Sequence, residues 1–165
     1  MRGPRADRPH VPGYGIPTST DGLLSWAWAR ERLERALVYR LATSSPDGRP
    51  HLIPIWGAWV DDRWYVEGGP TRWQRNLRAN PWLAIEVESG SETVIVEGRA
   101  SELVAPPTEL ATRIVSGYAK YREPEDYAAD PANWAAGGLW ELVPDLAFAW
   151  STFPKDMTRF TFGAR

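Results

Sequence analysis

From residue 38 to residue 162 the apolar side chains recur mostly at every second position, in short stretches separated by turn residues. That period makes antiparallel β structure the chief regular element of the chain. Strands are expected over 38–44, 50–60 and 63–67, joined by Pro46-Asp47-Gly48 and by a tight Asp61-Asp62 connection. Further strands are expected over 82–88 and 92–104, with Ser89-Gly90-Ser91 between them. Two or three closing strands follow, over 139–143, 146–153 and 158–162. So many strands in 165 residues avoid exposed edges best by closing, which predicts a closed or nearly closed barrel. Pro54 falls inside the second strand, where it cannot donate to a ladder. Either that strand is an edge or bulge, or its freed backbone faces a ligand.

Helical spacing appears in a few places. Trp26, Ala29, Leu33, Ala36 and Leu37 recur at helical intervals across 25–37, with Ser25 as N-cap. A short helix is expected over 71–79, stopped by Asn80-Pro81, and another over 107–120. The stretch 121–138 is acidic, proline-containing and irregular, and reads either as a lid or as a surface excursion. Residues 1–24 form a flexible or surface-draped arm, and 25–165 a single domain.

Composition removes several function classes. No cysteine is present, which excludes disulfides, iron–sulfur clusters, thiolate zinc and a cysteine nucleophile. Two histidines, His10 and His51, are too few for a histidine-rich metal centre, and no metal is expected. A formal net charge of −2 gives no basic field for nucleic acid. Without a bilayer-length apolar run or a secretory h-region, the chain reads as cytoplasmic, with no membrane partner. Ten tryptophans exceed what one small core needs; they either fill the barrel or line a planar ligand.

The chemistry concentrates in residues 68–77. Gly68 and Gly69 permit close approach to a ligand, and Thr71 with Gln74 spells a capping box that starts the helix. Helix starts offer free N–H groups and a positive dipole end, which favour an anion. Arg72, Arg75 and Arg78 share one broad face of that helix, and a guanidinium matches phosphate oxygens in pairs. The alternative is a solvated basic face. His51 is either structural or a hydrogen-bonding and proton-relay group. No catalytic triad or protein acid–base pair can be assembled, which fits chemistry borne by a cofactor.

These residues resemble the pyridoxamine 5′-phosphate oxidase-like superfamily of flavin and deazaflavin oxidoreductases, whose fold is the FMN-binding split β-barrel. The resemblance is carried by Leu41-Ala42-Thr43, Asp47-Gly48-Arg49-Pro50-His51, Pro54-Ile55-Trp56, Thr71-Arg72-Trp73 with Arg75-Asn76-Leu77, and Asn80-Pro81. Val94 to Gly98, Phe148-Ala149-Trp150 and Thr158-Arg159-Phe160 continue it. It implies a homodimer with the cofactor, FMN or alternatively a deazaflavin (F-420), at the interface. The ring would lie along His51, Ile53, Pro54, Ile55 and Trp56, and the phosphate tail against Gly68, Thr71, Arg72 and Asn76. Thr93 would touch the ring, and Trp150 and Arg159 would reach the cofactor, across the dimer if need be. Many relatives place a lysine or arginine where this chain has Trp73; Arg75 then substitutes, or Trp73 stacks on a ring. The activity implied is hydride transfer between cofactor and a small organic substrate. The alternative is a non-catalytic flavin, deazaflavin or haem carrier. Vitamin B6 phosphate oxidation would need a second cationic cluster, and none is evident.

Overall fold

The computed structural model describes residues 3–163. Nine antiparallel strands form one sheet: β1 (Arg5–Asp7), β2 (Tyr39–Ser44), β3 (Pro50–Ile55), β4 (Ala58–Val60), β5 (Arg63–Glu67), β6 (Trp82–Ser89), β7 (Glu92–Leu103), β8 (Leu139–Trp150) and β9 (Thr158–Thr161). The hydrogen-bonded order is β1-β9-β8-β7-β6-β2-β3, while β4 pairs with β5 and β5 with β8. The helices are α1 (Trp26–Arg35), α2 (Arg72–Ala79), α3 (Thr108–Tyr118) and the short α4 (Arg122–Glu125). No described helix is long and apolar enough to cross a membrane.

The second strand of the sequence reading is in fact two. β3 pairs with β2, and after Trp56-Gly57 the chain continues as β4, which pairs with β5. Following β2-β6-β7-β8-β5-β4 and then the covalent step back to β3 completes a ring. The barrel thus closes through a bend rather than a ladder. Gly57 is required there because a Cβ would meet Trp64 Nε1 at 2.3 Å. The Tyr121 hydroxyl accepts from Gly57 N at 3.1 Å, and the carbonyls of Gly57 and Leu37 lie 3.1 and 2.9 Å from it. One phenol therefore satisfies the backbone that the bend leaves without a ladder partner. β3 itself pairs only with β2, so Pro54 sits on an edge where its missing N–H is tolerated.

A second correction concerns 139–153, expected as two strands. It is one twelve-residue strand, β8, whose pairing with β7 slips between Glu97 and Gly98, opposite Pro144 and Leu146. The bulge bends β8, so its first half pairs with β5 and its second half with β9. Gly98 allows this, since a Cβ there would meet the Val143 carbonyl oxygen at 2.2 Å. Asp61 and Asp62 both adopt left-handed φ, 52° and 58°, as a two-residue hairpin turn demands. Asp62 Oδ1 accepts from Trp26 Nε1 at 2.8 Å, tying that turn to α1.

Two apolar clusters result. Inside the barrel lie Leu41, Trp59, Trp64, Val66, Trp73, Ile85, Val96 and Phe160. Outside it, α3 packs Ile114 and Tyr118 over Ala58, Tyr65 and Leu139, together with Trp134. Five of the ten tryptophans are therefore core: Trp59, Trp64, Trp73, Trp134 and Trp140. α1 begins as expected, with Ser25 Oγ accepting from Trp28 N, and buries Ala29 and Leu33. Arg32 stacks on Trp28 and grips Glu92 with two nitrogens, joining α1 to β7. The N-terminal segment is laid on the sheet: β1 pairs with β9, and Arg8 donates to the Met157, Ser19 and Asp21 carbonyls.

The bend makes a measurable demand. Gly57→Ala should lower stability by about 1–3 kcal/mol through overpacking against Trp64. Gly69→Ala, where nothing lies within 4 Å of the added carbon, should change it by less than about 0.5 kcal/mol. Denaturant midpoints of the two variants check this; equal midpoints would contradict it.

Candidate functional site

The bend brings the end of β3, the end of β5 and the start of α2 to one corner of the barrel. β5 alternates, sending Trp64 and Val66 into the barrel and Tyr65 towards α3. Glu67 falls on the same outer face as Tyr65. Gly68 and Gly69 follow, and α2 starts after Thr71. The expected capping box is absent: the Thr71 side chain makes no cap hydrogen bond. Gln74 is buried and instead donates its side-chain N–H to the Gly68 carbonyl at 2.7 Å. Holding the diglycine turn takes the side chain that would have closed the box. The first-turn N–H groups of α2 therefore have no side-chain partner among the described residues.

The arginines of α2 divide. Arg72 and Arg75 are exposed and make no ion pair among the described residues. Arg78 is committed elsewhere: it grips both oxygens of Glu102 at 3.0 and 2.9 Å, beside the Trp140 ring. The β2–β3 turn lies nearby. Asn76 Nδ2 donates to Thr43 Oγ1 at 3.0 Å, and Asn80 Nδ2 to Ser44 Oγ at 2.9 Å. The Ser45 hydroxyl holds the Asp47 carboxyl below its ordinary pKa, and the charge of Arg72 adds to that effect.

Next to this corner a cavity of about 530 Å³ opens between Ile55, Trp56, Glu67, Gly68, Tyr127 and Trp134. Its aromatic wall is continuous: Trp56 stacks on Tyr121 at 5.1 Å, and Tyr127 lies 5.5 Å from Trp56 and 6.0 Å from Tyr118. Glu67 accepts from the Tyr127 hydroxyl and from the Trp134 indole N–H. Burial pushes its carboxyl above the ordinary range, with the Trp134 bond opposing and Asp130 adding. Glu67 is the charged side chain of this cavity that the sequence reading passed over. Its signal was a carboxylate on the α3-facing side of a strand, directly before two glycines. The 121–138 stretch is anchored at two points, since Trp134 is only 1% exposed and Ala129 also packs into the second core, and its Tyr127 and Trp134 line the cavity.

Other expected site residues fall into three groups. His51, Ile53 and Ile55 lie half-buried on one face of β3, opposite buried Thr43, Leu41 and Tyr39, while Pro54 faces outward. Trp73 and Asn76 point inward: Trp73 is 2% exposed and edge-on to Trp140, so it cannot stack on a bound ring. Its large apolar body is held in the barrel because α2 packs across β2. Thr93, Trp150 and Arg159 lie together on the outer face of β7–β9, with Thr93 opposite Trp150. From β3, Thr93 is three strand intervals away through β2 and β6, roughly 14 Å. Arg159 is also engaged by Asp7, at 2.7 and 3.0 Å.

This arrangement, a strand-branched barrel with helices outside, is a split β-barrel. Residues 27–137, more than half of the chain, match the family described as pyridoxamine 5′-phosphate oxidase, and the chain belongs to that family. No curated protein matches the sequence. Among solved structures, an FAD-binding protein of Mesorhizobium loti is 23% identical over 84% of this chain and 96% of that one, with a TM-score of 0.58. An F-420 reductase is 27% identical over 72% of this chain and 94% of that one, with a TM-score of 0.53. A haem storage protein of Vibrio cholerae is 19% identical over 72% of this chain and 86% of that one, with a TM-score of 0.52. The fold thus serves both a reductase and a haem store.

Beneath the bend, Lys120 donates to the Tyr39 hydroxyl and the Glu34 carbonyl, both at 3.1 Å, over the rings of Tyr39 and Tyr121. Burial lowers its pKa to about 8, against the opposing pull of Glu34. The unfolded chain keeps this proton up to its ordinary pKa, so between pH 8 and 10 folding releases it and stability rises with pH. The slope is at most about 1.4 kcal/mol per pH unit, and less with solvent screening. Lys120→Met should lack that rise when urea midpoints are compared at pH 7.5 and 9.5. Parallel behaviour of the two proteins would contradict it.

Proposed function

We propose that the chain is a flavin- or deazaflavin-dependent oxidoreductase acting on a small organic substrate, with FMN the first cofactor to test. The observation that carries this reading is the α2 corner: a helix start without a side-chain cap, two exposed arginines that make no ion pair among the described residues, and a glycine turn open to approach. These residues suit a phosphate, which Arg72, Arg75 and the first-turn N–H groups would hold. The planar ring would lie along His51, Ile53 and Ile55, towards Trp56. A bound flavin or deazaflavin supplies hydride transfer at its central ring. The chain's own part is then to seat the anion, exclude water with its aromatic wall, and hold the substrate over the open face.

Thr93, Trp150 and Arg159 lie on another face, several strands from this corner. One site can include both groups only if a second copy supplies the second group, which supports a homodimer with the cofactor between subunits. A second reading, haem or flavin carriage without turnover, is favoured by His51. Its imidazole makes no hydrogen bond among the described residues, lies beside the corner, and suits an axial ligand.

Absorbance of the purified chain titrated with FMN, a deazaflavin and haem separates these readings. Arg72→Ala and Arg75→Ala should each weaken FMN binding by about ten- to a hundredfold, the worth of one charge-assisted hydrogen bond. Arg78→Ala, already tied to Glu102, should leave binding unchanged. Wild-type affinity in the Arg72 and Arg75 variants would overturn the phosphate assignment, and a Soret band lost in His51→Ala would favour haem.

A further inference from the structure

We propose that the aromatic cavity beside the α2 corner is a subsite for an organic ammonium group, with Glu67 as its counter-charge. Of the side chains lining this cavity, Glu67 alone is charged. It lies half-buried and accepts two hydrogen bonds from neutral donors, Tyr127 and Trp134, which orient the carboxylate without neutralising it. The other charge that reaches it, Asp130, is of the same sign. A desolvated carboxylate in that position gains most from a cation brought by a ligand. Each carboxylate oxygen has more than one acceptor direction, so both can still receive an N–H.

The walls select what kind of cation fits. Trp56 and Tyr127 are the half-buried aromatic residues of the wall, with Tyr118 and Trp134 buried behind them, and such surroundings suit an alkylated or aryl-substituted ammonium. A hydrated metal ion finds only one carboxylate, and the described residues contain no cluster of metal-ligating side chains. An anionic ligand would meet Glu67 directly. The volume, about 530 Å³, suits a small organic molecule rather than a bare ion.

This inference deepens the oxidoreductase reading by naming its substrate class, and it rests on that reading only for the word substrate. Ile55 and Trp56, at the end of the strand proposed to carry the ring, form one wall of the cavity, and Gly68 borders both cavity and phosphate corner. A cation held at Glu67 would therefore lie beside the cofactor.

Isothermal titration of the whole chain with benzylammonium, benzyl alcohol and phenylacetate tests it, first without added cofactor and then with FMN. The cation should bind once per chain and about tenfold more tightly than benzyl alcohol, with phenylacetate weakest. Glu67→Gln should weaken the cation about tenfold and leave benzyl alcohol within about twofold. Equal affinity for the three probes, or a cation affinity untouched by Glu67→Gln, would overturn the proposal. Should Glu67→Gln fail to fold, the ratio of cation to alcohol affinity in the unsubstituted chain decides alone, and a ratio near one refutes it. Selective cation binding in a chain that takes up neither FMN nor deazaflavin would uphold the subsite and sink the cofactor reading. Cofactor uptake without cation selectivity would do the reverse.

Discussion

The site depends on the bend at Trp56-Gly57. There the edge strand turns across the end of the barrel, closing it through the covalent chain. Tyr121 satisfies the buried backbone that has no ladder partner at the turn, and the Trp64 indole fills the space that any side chain on residue 57 would need. The same turn places Trp56 over Tyr121, at the wall of the cavity. The one bend therefore serves both the closure of the fold and the construction of the candidate site.

Much of this was legible because it rests on local rules. The Ser25 cap, the Arg63–Glu67 strand, the Asp61-Asp62 hairpin and the helix stopped by Asn80-Pro81 follow from side-chain chemistry within a few residues. The family resemblance also holds. What escaped was decided by distant partners. A proline and an aspartate in 139–153 read as a strand break, yet Gly98 on the neighbouring strand absorbs them as a bulge. Thr71 and Gln74 have the spacing of a capping box, but Gly68 takes the glutamine. The three α2 arginines look equivalent in sequence, and only the approach of Glu102 removes Arg78.

The candidate site was legible in outline and mistaken in detail for the same reason. Arg72, Arg75 and the glycines stand where helix-start chemistry puts them. Trp73 was expected at a ligand and lies instead in the barrel, because α2 crosses β2 with its tryptophan inward. Glu67 carries no motif; only the return of Tyr127 and Trp134 from sixty or more positions away gives it meaning. The residues thought to reach the cofactor from the C-terminal strands lie on the far face of the sheet. Within one chain, the two groups of residues that the resemblance brings to one cofactor therefore lie apart.

The central claim is that an anion sits at the start of α2. A crystal structure of the chain grown with FMN tests it most directly. Phosphate density is expected against the first-turn N–H groups of α2 and the guanidinium groups of Arg72 and Arg75. Density for the bound molecule elsewhere, with that helix start facing only solvent, would contradict it.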